Sequence, residues 1–252
     1  MVNQPLEGRV ALITGASRGL GRAMAIALAQ GGAKIALVAR DEEKLKETAA
    51  EVAAAGSQAQ IFLADVAKEG DVEQLAGEVR HSFGHVDILI NNAGINLRKH
   101  LIDFTLEEWQ RVMDTNVTSV FLMCRAFIPM MKGHGYGRII NMTSIMAHVS
   151  LPGRTVYSTS KTALLGLTRA LAQEVAADGI TVVGISPGPF GTEMNIPIMN
   201  NPELNAQFMA KIPAGRWGKV EEIGQLALFL CSDGAGFITG TDILIDGGWC
   251  AQ

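Results

Sequence analysis

Seven short runs rich in Val, Ile and Leu punctuate the chain, at 9–14, 34–39, 59–64, 86–91, 137–142, 180–185 and 242–246. Between them the apolar residues recur with helical spacing, as in GRAMAIALAQ, EEKLKETAAEVAAA and KEGDVEQLAGEVRHSF. Runs that are apolar on both faces and separated by helical stretches predict strands of a parallel sheet covered on both sides. Right-handed crossovers then give an α/β fold, a doubly wound, seven-stranded parallel sheet with helices on both faces. Thr105 and Glu108 form a T-x-x-E capping box, which predicts the start of a long helix ending near Met131. No linker, low-complexity tract or internal repeat breaks the pattern, so residues 1–252 read as a single domain.

The first run leads directly into TGASRGLG (14–21), and a helical pattern follows. Gly15, Gly19 and Gly21 let the main chain approach a pyrophosphate, and the helix start offers free N–H groups and a positive dipole end. With Ser17, Arg18 and Leu20 they make a candidate phosphate loop of the Rossmann type. The second strand ends in Ala39-Arg40, where an NAD site would place a carboxylate for the ribose hydroxyls. Arg18 and Arg40 instead suit a 2′-phosphate, so NADP(H) is expected over NAD(H). Asp41, the rival ribose ligand, is better read as the N-cap of the helix that begins EEKL.

Only two tyrosines occur in 252 residues, and one of them, Tyr157, stands four positions before Lys161. That spacing puts phenol and ammonium on one face of a helix, where the positive charge favours phenolate and brings the phenol toward a working pH. Such a phenol can give a proton to a carbonyl oxygen or take one from an alcohol. Ser144, after the run GRIINM, is placed to hydrogen-bond the same oxygen.

Together these residues resemble the short-chain dehydrogenase/reductases over essentially the whole chain. The resemblance rests on TGASRGLG, Asp65-Val66, NNAG (91–94), Asn116, Ser144, Y-x-x-x-K (157–161) and Pro187-Gly188, in that order. It implies a catalytic set of Asn116, Ser144, Tyr157 and Lys161, with Asn116 binding a water in a proton relay from Lys161. It further implies that Asp65 and Val66 contact adenine, although a plain strand-end cap explains Asp65 nearly as well. Asn92, Ala93 and Gly94 would line the cofactor floor, and Tyr157 and Lys161 would border the nicotinamide ribose. Pro187, Gly188, Phe190 and Thr192 would flank the carboxamide. Relatives of this kind are mostly homotetramers.

Substrate residues are expected in the loops around the site, which supply Arg98, Lys99, His100, His148, Arg154 and Arg216. A cationic mouth suits an anionic or polyhydroxylated ligand, with Arg98, His148 and Arg154 the leading candidates. The segments RKHLIDFT and NNPELNAQF resemble gluconate 5-dehydrogenase-like members, whereas PAGRWGKVEEIG and FITGTDILIDGG resemble 3-oxoacyl-carrier-protein reductases. A small polar ketone or sugar-acid substrate therefore leads, with a 3-oxoacyl thioester or a broad range of carbonyls as alternatives. A cofactor-binding redox sensor is the non-enzymatic alternative. The segment 190–212, rich in Gly, Pro and Met at the mouth, reads as a lid.

A net charge of −4 gives no basic excess for nucleic acid or an anionic membrane, and no run approaches the length of a membrane helix. Three widely spaced cysteines without C-x-x-C fit free thiols in a reducing cytoplasm, and the five histidines show no metal-ligand spacing.

Overall fold

The apolar runs become parallel strands because each has a helix to pass over before it can return in register. A computed structural model describes residues 4–251. In chain order it contains β1 (Val10–Thr14), α1 (Gly19–Gln30), β2 (Lys34–Ala39), α2 (Glu42–Ala54), β3 (Ala59–Leu63), α3 (Glu69–Phe83) and β4 (Ile88–Asn91). There follow α4 (Leu106–Met113), α5 (Ser119–Met131), β5 (Gly137–Met142), α6 (Thr155–Val175) and β6 (Ile180–Pro187). Two short helices, α7 (Ile196–Met199) and α8 (Pro202–Met209), precede α9 (Val220–Cys231) and β7 (Thr241–Ile245).

The strands form one sheet in the order β3-β2-β1-β4-β5-β6-β7, every pair parallel. The chain winds outward from β1 to β3, then returns to the other side of β1 at β4. At that reversal the loops after β1 and β4 diverge and open a crevice at the C-terminal edge of the sheet. The fold thus sets where a ligand can sit before any side chain is considered.

Alternation along the strands feeds two cores. Ala11, Ile13, Ile35 and Leu37 join Met24, Leu28 and Ile223 on one face. Leu12, Ala36, Val38 and Leu89 join Val79, Phe127 and Leu164 on the other. On the first face α1 lies close against α9, and Gly224 permits it, since a Cβ there would come within 2.9 Å of Ala23 O and Ala27 Cβ.

Two expectations need adjusting. The runs were read as covered on both faces, but the edge strands β3 and β7 are only partly covered because each lacks a neighbour on one side. The helix that starts at the Thr105–Glu108 box does run to Met131, but it widens into a π-turn over Asp114–Thr118. The wider turn accompanies a fully buried Asn116 bound to residues outside its own helix, a local irregularity often found at functional sites. Among the described residues no helix is long and apolar enough to cross a membrane, and no His, Cys, Asp and Glu cluster could hold a metal. Cys124 and Cys231 are buried free thiols, and Cys250 is half-buried and free.

Phe127 is fully buried in the second core. Phe127→Ala is expected to lower stability by about 3–5 kcal/mol, read from urea unfolding midpoints.

Candidate active site

The crevice is a cavity of about 1180 Å³ that runs from the loop after β1 to the segment before α6. Its nucleotide end is built on main chain. Thr14 Oγ1 accepts from the N–H groups of Asn92 and Ala93 at 2.9 and 3.0 Å. Asn92 Nδ2 returns two hydrogen bonds, to Thr14 O and Gly15 O. The loops after β1 and β4 are thereby fastened together. Gly15 and Gly21 are needed for it: a Cβ on Gly21 would lie 2.3 Å from Gly15 O, and one on Gly15 would lie 2.9 Å from Asn92 Nδ2. Gly19 has φ +54°, a conformation open to glycine. Because Arg18 gives α1 no side-chain cap, the first-turn N–H groups remain available to an anion. This donor set fits a pyrophosphate.

Ser17, Arg18, Leu20, Arg40, Asp65, Val66, Gly94, Pro187, Gly188, Phe190 and Thr192 all line the same cavity. Asp41 does cap α2, accepting from Lys44 N at 3.2 Å. Asp65 lines the cavity, and its Oδ1 accepts from Ala67 N, as a strand-end cap does. Arg40 pairs with Asp65 at 3.6 Å, and Arg18 with Glu193 at 3.4 Å, all largely exposed except Asp65. Glu193 also approaches Lys44, so the segment read as a lid is tied by its first acid to both sides of the nucleotide end.

At the other end, Tyr157 and Lys161 project from the first turns of α6. Lys161 Nζ donates to Met142 O at 2.6 Å and lies 5.8 Å from the centre of the Tyr157 ring. Burial draws Lys161 down to about 8. Burial also pushes the Tyr157 phenol above its ordinary value, while the Ser144 hydroxyl and then the Arg154 and Arg98 charges pull against it. Two arginines thus add their charge to that of the lysine on the same helix. Ser144 follows β5, and its Oγ accepts from Met146 N to start a short 3₁₀ turn.

Asn116 reaches the same neighbourhood, beside Gly94 and Lys161. Its Oδ1 accepts from Ile95 N, and its Nδ2 donates to Ile95 O and Ser160 Oγ. Through these bonds the side chain braces the loop after β4 against α6.

Of the loop cations, Arg98 and Arg154 line the cavity. His148 does not: its Nε2 lies 2.8 Å from Asp242 Oδ2. Lys99 is held by Glu108 and Arg216 by Glu222, while exposed His100 precedes a 3₁₀ turn outside the lining. Burial and the neighbouring Arg98 charge draw Arg154 down to about 10, and its Nη1 is buried with no hydrogen-bond partner. Asn96 Oδ1, also in the lining, is likewise unpartnered. Sequence reasoning missed the tie made by Thr14 and, in the lining, Asn96 and an apolar wall of Met146, Leu151, Phe208 and Trp249. Phe208 stacks on Trp217 and tilts against Trp249; the clustering of aromatics near the C-terminus was the available signal.

Comparison with known proteins extends along the whole crevice. Residues 15–250 match the family described as "Enoyl-(Acyl carrier protein) reductase". A 3-oxoacyl-[acyl-carrier-protein] reductase of Haemophilus influenzae is 37% identical, covering 96% of this chain and 98% of that protein. The gluconate 5-dehydrogenase of Gluconobacter oxydans is 36% identical, covering 96% and 95%. The chain belongs to the short-chain dehydrogenase/reductase family. Among solved structures, the Pseudomonas aeruginosa RhlG/NADP active-site complex superposes with a TM-score of 0.93 at 35% identity, covering 99% of each chain. This short-chain dehydrogenase/reductase is thus similar to oxidoreductases named for different substrates, at nearly equal identity.

The buried lysine makes a stability prediction. Between about pH 8 and its ordinary 10.5, folded Lys161 has released its proton and the unfolded chain has not, so stability rises with pH. Relative to Lys161→Met, the wild type should gain up to roughly 3 kcal/mol between pH 7.5 and 10.5 in urea unfolding.

Proposed function

We propose that the chain is a cytoplasmic, NADP(H)-dependent oxidoreductase that interconverts a secondary alcohol and a ketone on a small sugar acid of the gluconate and keto-gluconate class. Arg154 carries the substrate reading. A buried guanidinium nitrogen without a partner is costly, and a carboxylate satisfies it with a charge-assisted hydrogen bond. Arg98 adds a second charge, and Asn96 Oδ1 offers an acceptor to a substrate hydroxyl. The similarity to a 3-oxoacyl reductase supports a thioester substrate as the second reading. An uncharged acyl arm would leave Arg154 unpaired, and that favours the sugar acid.

The cofactor reading rests on Arg18 and Arg40, whose exposed ion pairs are exchangeable for a 2′-phosphate, and on Asp41 being spent as a helix cap. A bound nicotinamide supplies or accepts the hydride. The chain's own residues handle the proton and the oxygen. In reduction Tyr157 donates its phenolic proton to the carbonyl oxygen while the Ser144 hydroxyl donates a hydrogen bond to it. Lys161 and the two arginines offset the charge left on the phenol. Asn116, by bracing Ile95 and Ser160, keeps α6 in register with the cofactor floor.

A homotetramer accords with the large apolar side chains that this chain alone leaves exposed, among them Leu101, Ile102, Leu106, Phe121, Phe229, Phe237 and Leu244.

Tyr157→Phe should lower kcat by about a thousandfold or more while NADPH binding, followed by fluorescence, stays within twofold. Arg154→Gln should raise the KM for 5-ketogluconate at least about tenfold and leave reduction of an uncharged ketone little changed. Full activity of the tyrosine variant contradicts the proton-transfer role, and an unchanged KM in the arginine variant contradicts the carboxylate reading.

A further inference from the structure

The segment 143–148, which carries Ser144, is held near both ends by one carboxylate from a strand two positions away in the sheet. Asp242 lies on the edge strand β7, in register with Gly184 of β6. A Cβ on residue 184 would fall 2.1 Å from Asp242 Oδ1, so the aspartate side chain crosses β6 through the space the glycine leaves. There its Oδ1 accepts from Thr143 Oγ1, and its Oδ2 lies 2.8 Å from His148 Nε2. Ser186 Oγ links the two ends, 2.8 Å from Thr143 Oγ1 and 3.3 Å from His148 Nε2. The carboxylate is nearly buried, at 9% side-chain exposure.

Neither Asp242 nor His148 lines the cavity, whereas Thr143 and Ser144 do. The ladder pairing of β5 with β6 ends at Met142–Ile185, and Thr143 adds one further main-chain bond, to Ile185 O. Beyond that point, the turn bearing Ser144 depends on side chains for its placement. A group that must meet developing charge on an oxygen loses much of its effect when displaced by a fraction of an ångström.

We propose that Asp242, reaching over Gly184 and partnered by His148, is a positioning residue that fixes Ser144 against the reacting oxygen. The inference rests on the role of Ser144 proposed above. It assigns Gly184 a part in the same device, since the glycine keeps the carboxylate's path open. It also explains why His148 lies off the substrate wall: the imidazole holds the far end of the turn.

The test uses three ways of disturbing one carboxylate. Asp242→Ala removes it, Gly184→Ala displaces it without removing it, and His148→Ala takes away one partner. Each is assayed with NADPH and the faster of 5-ketogluconate and acetoacetyl-CoA, alone and combined with Ser144→Ala. Hydrogen exchange of segment 143–148 is followed by mass spectrometry. Asp242→Ala and Gly184→Ala should lower kcat about tenfold or more, with the NADPH dissociation constant within twofold, and accelerate exchange in 143–148 but not in 157–161. In the Ser144→Ala background either change should cost less than about twofold. His148→Gln, whose amide can still donate to Asp242, should recover most of what His148→Ala loses. Unchanged kcat or unchanged exchange in both Asp242→Ala and Gly184→Ala overturns the proposal, as does a full second loss in the Ser144→Ala background. Wild-type kcat in Ser144→Ala itself would overturn the catalytic reading of Ser144 and this inference with it.

Discussion

A buried ammonium donating to a main-chain carbonyl holds the chemistry of this protein together. Lys161, only 5% exposed, gives a hydrogen bond to Met142 O, the last residue of β5. That bond, with the one from Asn141 Nδ2 to Thr168 Oγ1, joins the helix bearing Tyr157 to the strand that delivers Ser144. Burial has a cost, visible in the lowering of Lys161 to about 8, and the core beneath α6 supplies the offset. At the nucleotide end Thr14 and Asn92 do for the loops after β1 and β4 what Lys161 does for β5 and α6. Both are polar ties at the C-terminal edge of the sheet, where the strand ladders stop.

The two ends of the cavity treat charge differently. At the nucleotide end Arg18 and Arg40 are exposed and already paired with Glu193 and Asp65, so a ligand phosphate would exchange one anion for another. At the substrate end Arg154 is partly buried, close to a like charge, and has an unpaired nitrogen. An anion there gains more, because it relieves both the burial and the repulsion by Arg98. Its arrival would also weaken the pull of those arginines on Tyr157.

Much of this was legible in the sequence. The central strands announce themselves because both faces are apolar, and the Thr105–Glu108 box and the Asp41 cap are local, so composition over a few residues decides them. The order of glycines and the Y-x-x-x-K spacing placed the cavity's walls, since each motif follows a strand end that the topology gathers at one edge. What could not be read depends on distant partners. Nothing near His148 signals that Asp242, ninety-four positions on, will turn it away from the cavity. The π-turn at Asn116 is a matter of backbone register, for which the sequence carries no periodic mark. The edge strands β3 and β7 read like the others because apolar side chains do not reveal whether a neighbouring strand or open surface lies beside them.

The most direct test of the account is the initial rate of NADPH oxidation with 5-ketogluconate, set beside the rate with a short 3-oxoacyl thioester at matched concentrations. The account predicts a clear preference in kcat/KM for the sugar acid, because only that substrate brings a carboxylate to Arg154. A preference for the thioester would contradict it and leave the unpaired guanidinium without the ligand it has been assigned.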